Sequence, residues 1–253
     1  MDRIPTLAGR ALVVTGGARR LGAAITRHLA SRGARVAIVH SASAAAATEL
    51  LAELGEEAAT ARAHVGVQVD LAAPDSGREL FARLDEAGFA PDGLVHAAAS
   101  FLHRGALETT VEEWDATFAL NLRSFFLLAT ELARRRAGRG GDLVAIADAA
   151  ALELWSGYVA HAVSKAALLA LVRALAKSLA PGFRVNAVIP GSVLPPDGTS
   201  PGELERMRRR TLLERLGRPE NVADTVEFLL TNDYVTGAAI EVTGGSNLWR
   251  GSA

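Results

Sequence analysis

The sequence predicts a doubly wound α/β fold, a single Rossmann-type domain with a parallel sheet of about seven strands and helices on both faces. Three observations predict it. Short apolar runs alternate with helix-periodic segments from end to end of the 253 residues. The runs are apolar without polar alternation, as strands buried on both faces require. The first run closes on a glycine turn, Thr15-Gly16-Gly17, that leads straight into a helical pattern.

The elements follow in order. Ala11–Val14 is the first strand, and Leu21, Ala24, Ile25, His28 and Leu29 mark the helix that Gly33 stops. Val36–Val39 is the second strand, followed by an alanine-rich helix over about 44–54. Val65–Val69 is the third, closed by Asp70, and Leu80, Phe81 and Leu84 mark the next helix. Leu94-Val95 is the fourth, followed by two separate helices around Val111–Leu120 and Arg123–Arg136. Leu143–Ile146 is the fifth, and the longest helix runs from about Tyr158 to Leu179. Val185–Ile189 is the sixth; helices near Glu203–Leu213 and Asn221–Leu230 precede the last strand, Ala239–Val242. One domain over 1–253 is predicted, with a substrate loop over about 190–215 that begins in a proline-rich stretch.

Composition narrows the function. Hydrophobic residues make up 49% and aromatics only 5%, so alanine, leucine and valine must build the core. With no cysteine there are no disulfides or thiolate metal sites, and a reducing cytoplasm suits such a chain. A net charge of −1 offers no footprint for nucleic acid, and Arg134-Arg135-Arg136 reads as a solvated helix end. Met1–Thr6 lacks an apolar leader, and no run of about 18 apolar residues offers a membrane span.

The turn Thr15–Gly22 carries the first chemistry. Glycine at Gly16 and Gly22 permits the backbone to approach a pyrophosphate, and the following helix offers unpaired N–H groups to it. A dinucleotide is thus the predicted cofactor, contacting Gly16, Arg19, Arg20, Leu21 and Gly22. NAD binders place a carboxylate after the second strand to hold the ribose 2′-hydroxyl. Here that strand ends His40-Ser41-Ala42-Ser43, with no acid to repel a 2′-phosphate. His40, Ser41, Ser43 and Arg20 therefore point to NADP. The alternative is that the serines only cap the next helix.

Together with Asp70-Leu71, His96–Ala99, Asn121, Lys165, Pro190-Gly191 and Gly244-Gly245, the turn resembles the short-chain dehydrogenase/reductase family over essentially the whole chain. Within it the chain is most similar to the bacterial pteridine reductases: Arg20 stands where the family usually has glycine, Asp148 where it has serine, and Ser100-Phe101 follow the fourth strand. The resemblance implies that Arg20, Leu21, Gly22, Asp70, Leu71, Ala97, Ala98, Ala99, Lys165, Pro190, Gly191 and Val193 line the cofactor. It implies that Phe101 stacks on a flat substrate ring, that Asp148, Arg20 and Tyr158 help bind it, and that Asn121 organises a proton-relay water near Lys165. It also implies a small-molecule substrate and a homotetramer, or at least a dimer.

The chain departs from the family at the proton donor. The family's tyrosine lies four residues before the lysine; here that position is His161. A phenol titrates near 10 and an imidazole near 6.5. Lys165 disfavours the imidazolium and Asp148 favours it, so His161 is either a general acid supported by Asp148 or a ring filling the tyrosine's space. Tyr158, seven residues before Lys165 and two helical turns away, is a second candidate. The family's strand-four amides, which brace sheet and cofactor, are replaced by His96-Ala97-Ala98-Ala99, and Thr243 stands for the usual aspartate before Gly244-Gly245. Two functions follow: an NADP-dependent reductase of a pterin-like or carbonyl compound, or a member that binds the cofactor without redox chemistry.

Overall fold

A computed structural model describes residues 6–57 and 64–248. The segment Met1–Pro5, read above for a leader, lies outside them. The elements are β1 (Ala11–Thr15), α1 (Arg20–Ser31), β2 (Arg35–His40), α2 (Ala44–Glu57), β3 (Val65–Gln68), α3 (Ser76–Glu86), β4 (Gly93–His96), α4 (Val111–Phe118), α5 (Ser124–Arg135), β5 (Gly141–Ile146), α6 (Ala150–Glu153), α7 (Val159–Ser178), β6 (Phe183–Pro190), α8 (Pro201–Arg209), α9 (Pro219–Thr231) and β7 (Ala239–Val242). The strands form one sheet in the order β3-β2-β1-β4-β5-β6-β7, and every pairing is parallel.

Alternate side chains of each strand enter opposite layers. Val13, Ala37, Val39, Leu143 and Val185 pack with Leu80, Phe125, Leu128, Leu168 and Val172 from α3, α5 and α7. Leu12, Val14, Val36, Ile38 and Val144 pack with Ile25, Leu29, Leu50, Val226 and Leu229 from α1, α2 and α9. Each fully buried leucine or valine contributes about 1.5–3 kcal/mol of hydrophobic stabilisation. At the N-terminal edge of the sheet, Arg10 bonds Asp92 (2.5 Å) and Asp142 (2.9 Å), and Arg184 pairs with Asp142 at 2.8 Å. The opposite edge is left for ligands. Chain order reverses between β1 and β4, and such a switch point opens a crevice at the carboxyl ends of the strands.

Two expectations are corrected. The two helices foreseen between 111 and 136 run into each other through a π-helical turn, Ala119–Arg123. The wider turn carries Asn121, which is fully buried. Among the described residues one helix, α7, is long and apolar enough to cross a membrane by length and composition, although His161, Ser164, Lys165 and Arg173 interrupt its apolar run. Its apolarity has another cause, since Leu168, Val172 and Leu175 are buried in the core beneath the sheet. The helix foreseen near Glu203–Leu213 is present but shifted: a capping box of Ser200 and Glu203 starts α8 at Pro201, and it ends at Arg209.

Candidate active site

The crevice at the switch point is a cavity of about 390 Å³ lined by the glycine turn, His40–Ser43, Asp70-Leu71 and Ala97–Ala99. A Cβ added at Gly22 would lie 2.0 Å from the Gly16 carbonyl oxygen, and one at Gly16 2.9 Å from the Ala98 Cα. Both contacts are with backbone, so the turn closes this tightly only on glycine. Arg19, at the N-cap of α1, makes no side-chain cap, which leaves the helix N-terminus to an anion. Arg20 takes the left-handed φ of 49°, where glycine is cheaper by about 1–2 kcal/mol. Its guanidinium donates to the carbonyls of Leu194 and Pro195, tying the glycine turn to the substrate loop. The cavity's shape and donors fit a dinucleotide held by these residues.

A buried polar chain supports the crevice floor. Thr15 Oγ1 accepts from the N–H groups of Ala97 and Ala98 at 3.1 and 3.2 Å. Its own proton goes to His96 Nδ1, 2.9 Å away. His96 then carries hydrogen on Nε2 and donates to Ser124 Oγ at 3.2 Å, while Ser124 donates to the Leu120 carbonyl. Burial, reinforced by the charge of Lys165, pushes the His96 imidazole down to about 3, so it is neutral. Loss of the strand-four amides therefore does not leave the turn unbraced, as the sequence had suggested; a histidine has taken over that bracing.

A second cavity of about 400 Å³ adjoins the C-terminal ends of β5 and β6, with Trp155, Tyr158, Gly191, Ser192 and Met207 among its walls. His161, in the first turns of α7, is 2% exposed. Its Nδ1 is 2.9 Å from the Ser100 carbonyl oxygen, and its Nε2 is 3.7 Å from Asp148 Oδ2. No hydrogen-bond partner meets Nε2 among the described residues. Asp148 accepts the Ala150 N–H through its other oxygen, which starts α6. Phe101, 51% exposed, meets the His161 ring edge-on at 4.7 Å between centroids and the Tyr158 ring at 4.5 Å. One turn along α7, Lys165 is buried and donates to the Ile146 carbonyl at 2.7 Å. Burial lowers its ammonium to about 8, against the upward pull of Asp148.

The remaining predicted residues divide. Asn121 does not sit free beside Lys165: its amide bonds Ser100 N–H (2.8 Å), Ser100 C=O (3.2 Å) and Ser164 Oγ (3.0 Å). Tyr158 is the N-cap of α7, with φ −139° and ψ 43°, and bridges to Arg104, so it lies one residue before the helix that the two-turn spacing assumes. Pro190 ends β6 and is buried, Gly191 borders the second cavity, and Val193 packs into the core against Gly217 rather than lining the first cavity. Sequence reasoning missed Glu153, whose carboxylate accepts from Trp155 Nε1 (2.7 Å), Arg210 (3.1 Å) and Ser246 Oγ (3.3 Å) and so binds three segments around the second cavity. No periodicity or motif marks that convergence.

Comparison with known proteins agrees with this architecture. A family model described as enoyl-(acyl carrier protein) reductase matches residues 16–247. An L-rhamnose 1-dehydrogenase (NAD(P)(+)) of Azotobacter vinelandii is 35% identical, over 94% of this chain and 97% of its own. An NADPH-dependent aldehyde reductase-like chloroplastic protein of Arabidopsis thaliana is 32% identical, over 94% of each. The crystal structure of FolM alternative dihydrofolate reductase 1 from Brucella canis, complexed with NADP, superposes with a TM-score of 0.90 at 29% identity, covering 99% of this chain and 98% of its own. The chain belongs to the short-chain dehydrogenase/reductase family.

Proposed function

We propose that this protein is an NADP-dependent oxidoreductase that reduces a carbonyl or pterin-like compound, with His161 as the group that gives or takes the proton. The observation that carries the reading is the His161 Nε2 atom: buried, without a hydrogen-bond partner among the described residues, and facing the Asp148 carboxylate beneath the exposed Phe101 ring. A proton-transfer group needs a free nitrogen at the place where substrate oxygen or ring nitrogen arrives. Asp148 Oδ2 stands 3.7 Å from that nitrogen, and Lys165 lies one helical turn further along α7. The cofactor, when bound, supplies the hydride. Gly16, Gly22 and the α1 N-terminus would hold its pyrophosphate, while Arg20, Ser41 and Ser43 favour a 2′-phosphate. NADP- and NADPH-bound structural relatives support that choice. Phe101 and Tyr158 present aromatic faces suited to a flat ring, and the FolM likeness supports a pterin among the substrates. The grouping with pteridine reductases rests on the same residues, Arg20, Asp148 and Phe101.

The test is NADPH oxidation with a panel of aldehydes, ketones, dihydrobiopterin and dihydrofolate, repeated with His161→Ala. Turnover that falls by about 10²–10⁴-fold in the variant, the worth of a positioned acid, supports the reading. Binding of NADPH without oxidation by any substrate would instead establish the non-redox role.

A further inference from the structure

We infer that the Ser100 carbonyl locks neutral His161 in the Nδ1–H tautomer, leaving Nε2 as the working atom, and that Asn121 is the positioning residue that holds this carbonyl in place. The inference deepens the proposed role of His161 and rests on it for its catalytic meaning.

The hydrogen-bond assignments around His161 leave little freedom. A carbonyl oxygen only accepts, so the 2.9 Å contact from His161 Nδ1 to Ser100 O requires hydrogen on Nδ1. Asn121 does not compete for that proton, because its NH₂ group is taken up elsewhere. Its Oδ1 is committed to the Ser100 N–H at 2.8 Å, so the end turned towards His161 and Ser164 is the NH₂ group. Ser164 donates to the His161 carbonyl at 2.7 Å and can accept from that NH₂. The Asn121 Nδ2 stands 3.5 Å from His161 Nδ1, beyond good hydrogen-bond range and donor to donor once Nδ1 is protonated. The opposite tautomer would set a lone pair against the carbonyl oxygen at 2.9 Å and gain only the long 3.5 and 3.7 Å contacts to Asn121 and Asp148.

The bond made by one imidazole nitrogen decides what the other can do. With Nδ1–H given to Ser100, neutral His161 presents a lone pair at Nε2 and acts as a base towards an alcohol. Once protonated, it keeps the Ser100 bond and turns Nε2–H towards Asp148 and the substrate, the form that acts as an acid towards a carbonyl. Proton exchange thus involves one atom and no ring flip. Asn121 acts through Ser100: it grips both the N–H and the C=O of that residue from the π-helical turn.

Long-range ¹H–¹⁵N spectra of the uniformly labelled full chain test this, recorded at about pH 8.5, some two units above the ordinary imidazole value. Signals lost in His161→Gln assign the ring. The expected pattern has hydrogen on Nδ1, the reverse of the preference of free histidine. An Nε2–H pattern in the unmodified protein overturns the inference, whatever the variants do. Asn121→Leu removes the clamp and should convert the ring to mixed tautomers. In a folded Asn121→Leu, kcat should drop about tenfold or more with the KM for NADPH nearly unchanged. An unaltered Nδ1–H pattern in that variant would remove Asn121 from the role. Because tautomer is read without turnover, an Nδ1–H ring in an inactive protein defeats only the catalytic reading, and an Nε2–H ring in an active one defeats only the tautomer.

Discussion

Acidification should expose His96 as a stability switch, separable from every other histidine by one substitution. In the folded chain this imidazole is fully buried, accepts from Thr15 and donates to Ser124, and burial lowers it to about 3. In the unfolded chain it titrates at its ordinary 6.5 or so. Between those values the unfolded state binds a proton that the folded state refuses, so stability present above about 6.5 is lost as pH falls towards 3. From pH 7 to pH 5 the loss is about 2 kcal/mol, and it approaches about 5 kcal/mol once pH falls below the folded value. Urea unfolding of the wild type and of His96→Asn at both pH values reads it directly. Asparagine can still accept from Thr15 in the place of Nδ1 but does not titrate. The wild type should lose about 2 kcal/mol more than the variant between pH 7 and 5. Parallel losses would mean that His96 is charged or solvated in the folded state, and the polar chain deduced from Thr15 to Leu120 would be wrong.

Four other outcomes are expected. Gly22→Ala places a Cβ 2.0 Å from the Gly16 carbonyl oxygen, so calorimetry should show NADPH binding weakened by at least about tenfold, and an unchanged Kd would refute the tight turn. NADPH should bind at least about tenfold tighter than NADH, some 1.4 kcal/mol, because no carboxylate follows β2; equal affinities would sink the assignment of Arg20, Ser41 and Ser43. Asp148→Asn removes the charge that faces His161 Nε2 and holds Lys165 up, so the alkaline fall in reduction rate should move to lower pH. A profile that does not move excludes the ion pair from proton transfer. Light scattering should give the mass of a homotetramer or dimer, since α5 leaves Phe126 exposed on its outer face; a monomer at micromolar concentration contradicts that.

Sequence alone determined the order and type of the strands, the glycine turn and the polar pattern at its far ends, because these are written in short-range signals. Apolar runs around Val13 or Val144 read as buried strands wherever they occur, and Gly16 and Gly22 declare a turn within eight residues of chain. The same local reading failed where two segments had to meet. Spacing alone puts Tyr158 on the helix face of Lys165, but its backbone bridges to Arg104 and the helix begins one residue later. Asn121 could be placed near the lysine from its sequence position, but only the π-helical turn shows that its amide bonds Ser100. His96 looked like a lost amide until Thr15 and Ser124 closed on its two nitrogens. Glu153 carried no motif at all, since its partners are Trp155, Arg210 and Ser246 on separate segments. Tertiary structure decided each of these, and above all which nitrogen of His161 is free. A ring's proton is set by the acceptor beside it, and the Ser100 carbonyl lies 61 residues away along the chain, where no periodicity reaches.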